Sequence, residues 1–485
     1  MSKTQVIYKD VAPGAAGAAT PSATGYMNLS QLPDLITGGK SHKTLTLEPG
    51  RWVLGDGYEL MRTNLPAFWS DSLSGDDCVF TTAPVITIDF AQQFSSVGLT
   101  ITFDEATGEY CRKINVKWYQ QDAVKADVDF YPTGARYFCE QIVESYDRIV
   151  VTLLETSLPR RRARVQQLMF GIIRTYGMTE LRSARIVNQA KMLVTELPIS
   201  TATWNLDVRD DVDFMFQLKQ PVEFHNGDNL IGVYYINKHS RSAKGLYSIT
   251  CQDAIGVLRD IQFSGGVYTD YSAQQLVLDV VGSDFEVVFD GVTDVNLSGA
   301  IFPVAKDEAL QQILFAWGVS AATDGGDVIR IFNPGAEAAE IGTDRTYTGN
   351  STEVYSIVTA VQMTAHTYTQ DDSGSVEIGG VKYKDTTEVY TVVNPNVTAN
   401  DKQNVVTIDN ATLISPAIAQ AAAQRVYDYY ALRANNKAKI VWKGERLGDL
   451  LTTPNAWGGT ATGHVEKMEI ILSNTIAANC ETVGN

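Results

Sequence analysis

The chain has 485 residues, 44% of them hydrophobic and 20% charged, with a formal net charge of −17. That length exceeds what one hydrophobic core supports, so about two to four domains are expected. The negative balance excludes a nucleic-acid backbone binder, whose phosphate footprint needs a basic face. Five cysteines (Cys78, Cys111, Cys139, Cys251, Cys480) are scattered and form no C-x-x-C pair, which reads as free thiols in a reducing compartment. The opening "MSKTQVIYKD" has no apolar h-region, and no apolar run approaches the roughly 20 residues that span a bilayer. Cytoplasmic folding without membrane insertion is the expectation.

In chain order, residues 1–34 ("VAPGAAGAATPSATG" within them) are rich in Gly, Ala, Ser and Pro, and read as an extended arm unable to bury a face. Residues 35–172 read as an all-β sandwich or jelly roll. "PVITIDF", "SVGLTITF", "INVKWYQ" and "YDRIVVTLL" are strand-like, and "DEATGEY" and "YPTGARY" read as the turns between them. Residues 173–345 open with long strands in "PVEFHNGDNLIGVYYINKHSRSAKGLYSITCQD". There Asn226-Gly227 favours a tight hairpin, and Asp253 is placed to cap a short helical turn at Ala254. Ser272 and Gln275 have capping-box spacing, with Tyr271 and Leu276 set as a hydrophobic staple. Leu310, Ile313, Leu314 and Trp317 share one helical face that ends at Gly318. Residues 346–485 return to strands, interrupted by one helix starting at Ser415-Pro416, along which Ile418, Ala422, Val426 and Tyr430 recur; Asn435-Asn436 is its expected stop.

Catalytic chemistry finds little footing. P-loop, G-x-G-x-x-G, G-x-S-x-G and H-E-x-x-H motifs are all missing from the sequence. The histidines (His42, His225, His239, His366, His464) lie far apart, and none pairs with another at metal-ligand spacing. Cys251, with His239 on a neighbouring strand, invites a nucleophile reading. It shares a strand face with Tyr247 and Ile249, however, which favours a buried, inert thiol. Asp104, Glu105 and Glu109 gather in "FDEATGEY" as a weak calcium candidate against a plain polar turn. "PRRRAR" (Arg160, Arg161, Arg162, Arg164) is the one basic cluster and reads as a solvated strand edge or an inter-domain ion-pair surface. The first β region is aromatic (Trp52, Phe68, Trp69, Trp118, Tyr119, Tyr137, Phe138). Trp69, Trp118 and Tyr119 are the candidate glycan platform, set against core packing. Trp118 and Tyr119 are strand neighbours, so one of them must face outward. No cofactor or resident metal is expected.

The order of these pieces carries a resemblance. "PVITIDFAQQFSSVGLTITFDEATGEY", "VKWYQQDAVKA", "VESYDRIVVTLLET" and "RRARVQQLMFG" resemble the discoidin-like, carbohydrate-binding jelly roll found in tail proteins of phages of Gram-positive bacteria. "TELPISTATWNLDV", "NGDNLIGVYYINKHSRSAKGLYSITCQDAIGVLRDIQFSGGVY", "FPVAKDEALQQILFAWG" and "RVYDYYALRANNKAKIVWKGERLGDLLTT" are similar to the baseplate hub family of long-tailed phages, tailocins and contractile injection systems, which includes the late control D proteins. Asn226, Gly227, Asp253, Gly265 and Gly266 are the structural motif of that match.

The resemblance implies a mainly β protein with a few helices: a jelly-roll β-sandwich followed by two tail-tube-like β-barrel hub domains. It implies a non-enzymatic homotrimer in the virion tail or tailocin baseplate, its ring joining a hexameric tail tube to a trimeric spike or tip. Tube, spike, baseplate and sheath components would then be its partners, with at most weak binding of a cell-surface glycan and no sequence-specific nucleic acid. An acidic chain would suit a lumen that passes DNA. The sequence carries no peptidoglycan hydrolase motif after the hub part, and the jelly roll precedes the hub. The rival readings are a glycan-binding adhesin and a cell-wall glycan-active enzyme with a carbohydrate-binding module.

Overall fold

Strands alternating apolar and polar residues dominate the computed structural model. It describes residues 4–484 apart from 13, 40–41, 47, 51–55, 59–65, 209–215, 244, 399–401, 456 and 473–475; Trp52 lies outside the described residues. The chain is mainly β, with few helices and mostly antiparallel sheets. It divides into two compact units, residues 8–174 and residues 175–485 with 1–7.

In the smaller unit one sheet runs in the order Phe68–Trp69, Arg164–Met169, Val85–Phe103, Arg136–Thr156, Cys111–Gln120, Ala123–Phe130, with Ala19–Thr24 added against Val85–Phe103. The two expected strands "PVITIDF" and "SVGLTITF" are one, because pairing with Arg136–Thr156 continues through register slips between Asp89 and Gly98. Such slips bend a strand. One half of it thus pairs with Ala19–Thr24 and the other with Arg164–Met169. The core holds Ile86, Ile88, Leu99, Ile101, Ile114, Val116, Trp118, Ile149 and Val151. Their spacing of two puts each set on one face of its strand.

The reading that the extended arm of residues 1–34 can bury no face is corrected here. Ala19–Thr24 pairs residue for residue with Phe90–Val85, and Ala12, Ala15 and Leu35 join the core. Small residues bury little area singly, but they let the segment lie flat against a sheet edge, where Pro21 is tolerated.

In the larger unit a long antiparallel sheet runs Ser351–Val354, Ala434–Val441, Ala477–Gly484, Thr460–Ile471, Leu181–Gln189, Thr201–Asp207, Leu246–Gln252, Asn229–Ala243, Pro221–Asn226. The join between Leu181–Gln189 and Thr460–Ile471, with Arg185 opposite Ile471, unites the two hub parts expected on either side of residue 345. They share a core as well: Leu276, Val280, Leu310, Ile313 and Leu314 pack in one cluster with Val361, Met363, Ala422 and Val426.

The helices follow their caps. Ser272 Oγ accepts from Gln275 N at 3.1 Å and opens Ala273–Val281. Lys306–Trp317 closes on Gly318 at φ 86°, whose N–H donates to the Leu314 carbonyl. Pro416–Ala431 begins after Ser415 as expected. It ends before Asn435-Asn436, which sit inside the strand Ala434–Val441; the helix stops because that segment is claimed by pairing with Ala477–Gly484.

Candidate functional site

The sequence motif resolves into corners. Asn226 pairs with Asn229, so Gly227-Asp228 form the hairpin tip, with Gly227 at φ 64°. Asp253 is wholly buried at the junction between Leu246–Gln252 and the turn Ala254–Leu258. One carboxylate oxygen accepts from Gly256 N at 3.0 Å; the other accepts from Ser200 N at 2.9 Å and Thr323 Oγ1 at 2.7 Å. A single side chain thereby ties three segments together. Burial outweighs these donors and lifts its pKa from 3.8 to about 6. Gly265, at φ 72°, lies so close to the Ile301 carbonyl that a Cβ would fall 2.2 Å from its oxygen. Gly266 begins the strand Gly266–Ser272. Cys251 is buried and its thiol is pushed up to about 12 by burial, the state of a core residue and not of a nucleophile. His239 lies opposite Ile249, away from the Cys251 pairing position.

Two of the three glycan candidates are core residues, which corrects the platform reading. Trp118 is 0% and Trp69 4% exposed, so neither ring presents a face to a sugar. Trp118 continues the inward series of Ile114 and Val116, and Phe130 meets it edge-on at 6.4 Å. Tyr119 points the other way, and the Arg148 guanidinium lies over its ring at 4.9 Å.

The calcium candidate is likewise corrected, because its acids already face arginines. Glu109 accepts from Arg161 Nε at 2.9 Å and Arg164 at 3.2 Å, and Asp104 accepts from Thr107 at 2.7 Å. Glu105 is exposed. Arg164 also pairs with buried Glu48 and stacks over the Trp69 ring at 4.5 Å. Arg161 and Arg164 of the basic cluster are thus buried in an internal ion-pair network, while Arg160 lies exposed beside Asp76 and Arg162 donates to the carbonyls of Ser70 and Asp71. Among the described residues no cluster of three or more metal-ligating side chains occurs.

The long sheet has one buried and one polar face. Ala202, Trp204, Leu206, Ile249 and Cys251 point inward. On the opposite face Asn205 Nδ2 donates to Ser183 Oγ at 2.8 Å, Arg185 donates to Glu469 at 2.8 Å, Asn479 donates to Glu469 at 2.9 Å, and Lys467 donates to Glu481 at 2.9 Å. Thr203 and Thr250 pair across that face, and Lys437 and Lys439 continue it. Arg185–Glu469 and Lys467–Glu481 are ion pairs on that face, and exposed Glu353 lies on it opposite Asn435.

Beside that sheet a cleft of about 790 Å³ opens between residues 189–198, the end of the helix Pro416–Ala431 and the segment 355–358. Tyr429 Oη donates to Glu466 Oε1 at 2.8 Å, and Met192 N donates to the same oxygen at 3.0 Å. Burial and the Glu466 charge push the Tyr429 hydroxyl well above its ordinary range. Tyr430 meets Tyr429 edge-on at 5.5 Å. Asn435 Nδ2 donates to Tyr355 Oη at 3.0 Å, while its buried Oδ1 has no partner among the described residues. Nothing in the local sequence announces this cleft. Its walls come from segments far apart in the chain, and only the doubled tyrosine in "VYDYY" hints at it.

No family model matches the chain, and no curated protein matches it. Among solved structures the chain is similar to a tail protein from Neisseria meningitidis MC58, at 12% identity over 63% of this chain and 93% of that one, with a TM-score of 0.47. It is also similar to the 43 kDa tail protein of prophage MuSo2 from Shewanella oneidensis, at 10% identity over 64% of this chain and 96% of that one, with a TM-score of 0.45. A third likeness is to the prophage tail protein gp18 from Listeria monocytogenes EGD-e, at 10% identity over 63% and 91% and a TM-score of 0.41.

Proposed function

We propose that the chain is a structural hub of a phage tail or phage-tail-like particle. It would form a homotrimeric ring between the tail tube and the central spike or tip. The reading is carried by the long antiparallel sheet, in which strands from both hub-like sequence parts join at Leu181–Gln189 and Thr460–Ile471. One face of that sheet is apolar and buried, and the other is polar with crosswise-paired charge. This is what a wall segment needs if it is supported from behind and wet in front. The Asp253 corner fixes where the chain leaves the sheet and the Gly265 close approach sets the entry to the strand Gly266–Ser272; neither offers a reacting group. Buried Cys251 and the arginine-paired acids point the same way, to a scaffold and not to a hydrolase.

Residues 8–174 would then be a docking module of the baseplate. Its jelly-roll ancestry remains part of the proposal, but no sugar platform is built on Trp69 or Trp118.

Electron microscopy of the purified protein tests the reading, together with co-sedimentation with polymerised tail-tube protein. Threefold rings with an open centre that pellet with tubes are expected. A chain that neither forms rings nor pellets with tubes overturns it, as does release of reducing sugar from cell walls that a single acid substitution abolishes.

A further inference from the structure

The larger unit carries a second, four-stranded sheet in the order Val376–Ile378, Val381–Val393, Ala360–Gln370, Val405–Ile408. Its inner face packs on the helix Pro416–Ala431, where Val361, Met363, Ala365 and Val392 share a core with Ala422 and Val426. One edge of it is open. Val376–Ile378 covers Val381–Val393 only as far as Tyr383, and beyond that residue no strand among the described residues lies against this side.

The ladder with Ala360–Gln370 decides which backbone groups stand at that edge. Its register runs without a slip from Gln370 opposite Tyr383 to Ala360 opposite Val393. At the two ends Asp371 N donates to the Lys382 carbonyl at 3.0 Å, and Asn394 N to the Thr359 carbonyl at 2.9 Å. Bonded positions recur at every second residue of an antiparallel pair, so the even-numbered residues from 382 to 394 bond to Ala360–Gln370. Asp385, Thr387, Val389, Thr391 and Val393 turn their N–H and C=O groups the other way, and none of these groups has a backbone partner among the described residues.

Edge strands are usually blunted by lysine, proline or a bulge. Asp385–Val393 has none of these, and six of its nine residues are Thr or Val, the β-branched types that suit a strand. Val389 and Val393 are 63% and 64% exposed. The edge is also complementary to itself. Laid antiparallel on a second copy with Val389 opposite Val389, Thr387 meets Thr391 and Asp385 meets Val393, so every outward group finds a partner. Glu388 falls opposite Tyr390, and no acid faces an acid. A shift of two residues either way shortens the pairing, because Tyr383 is already taken at one end and Pro395 has no N–H at the other.

We propose that Asp385–Val393 of two copies pair edge to edge about a twofold axis through Val389. Such a contact is isologous. It cannot close a threefold ring, so it joins copies from different rings, and its failure leaves the ring reading standing.

Disulfide trapping in the full chain tests it, with each variant checked for unchanged circular dichroism. Bonded residues directly opposite one another have Cα atoms about 5.5 Å apart, within disulfide reach, and the native cysteines are buried. Under mild oxidation Val389→Cys should give a band at twice the chain mass on a denaturing gel. It should form roughly tenfold faster or more than with Gln362→Cys, an exposed position on Ala360–Gln370 away from the edge. A mixture of Thr387→Cys and Thr391→Cys should crosslink where neither does alone. Val389→Lys, which sets two like charges face to face, should halve the mass seen by light scattering at high concentration. Crosslinking of Val389→Cys no faster than Gln362→Cys overturns the pairing, and so does crosslinking of Thr387→Cys or Thr391→Cys alone that matches their mixture. A Val389→Cys protein that stays single when pure and is trapped only by added tail-tube protein overturns a second copy as the occupant.

Discussion

Replacing Asp253 by Asn should change how the stability of the larger unit depends on pH. The wild-type carboxyl titrates at about 6 in the fold against 3.8 ordinarily. The folded state thus binds the proton more tightly, and the group's contribution is fully present below the lower value and lost as pH rises through the upper one. Integrated over that interval, acidification from about pH 7 to about pH 5 adds roughly 1 kcal/mol through this group, and roughly 2–3 kcal/mol by about pH 4. Asn keeps one acceptor for Ser200 N and Thr323 Oγ1 but presents an amide N–H₂ to Gly256 N, where the carboxylate accepted. A loss of about 1–3 kcal/mol at neutral pH follows from the broken cap and the opposed donors. Urea midpoints of both proteins at several pH values measure the difference, in which titrations common to both cancel. The gap between wild type and Asp253→Asn should widen as pH falls from neutral. A gap that stays constant or narrows refutes the account of a carboxyl raised by burial.

Arg164→Ala would remove the buried guanidinium that pairs with both Glu48 and Glu109, leaving Arg161 on Glu109, at a cost of about 3–5 kcal/mol in a denaturant titration of the smaller unit. Arg164→Lys should restore only part of it, since a point charge cannot serve both acids and the Trp69 ring. Calcium or a chelator should leave the melting temperature unchanged, because the acids of the 103–110 loop are engaged by Arg161 and Arg164; a rise of several degrees with calcium would contradict this. Trp118→Ala should cost about 3–5 kcal/mol in denaturant midpoint by opening a cavity in the core of the smaller unit. Gly265→Ala should destabilise the larger unit by more than about 1 kcal/mol, read as a lower denaturant midpoint, from a strained φ and a Cβ driven into the Ile301 carbonyl.

Local signals in the sequence translated well where the deciding partners were close in the chain. Ser272, Gly318 and Ser415-Pro416 set helix ends through backbone groups within four residues, and the structure places all three as read. The Asp253 cap was legible for the same reason, although Ser200 and Thr323, its other two donors, were not. Burial of Trp118 was latent in the alternation Ile114, Val116, Trp118, which outweighs the attraction of an aromatic pair as a sugar platform. What stayed hidden depends on distant pairing. Arg164 meets Glu48 across 116 residues, Asn435-Asn436 are drawn into a strand by Ala477–Gly484, and the cleft draws its walls from segments spread between residues 189 and 483.

The join between Leu181–Gln189 and Thr460–Ile471 also sets a timetable for synthesis. Arg185 and its partner Glu469 are 284 residues apart. At roughly 5–20 residues per second, roughly 15–60 s pass between the ribosome delivering the first and the second. Throughout that interval Thr201–Asp207 can cover one edge of Leu181–Gln189, while the other edge stands open to any strand that meets it. The nascent protein is then most exposed to mispairing with other strands, its own copies among them. A lower growth temperature or a strand-shielding chaperone should therefore raise the yield of soluble folded chain more than the yield of total chain.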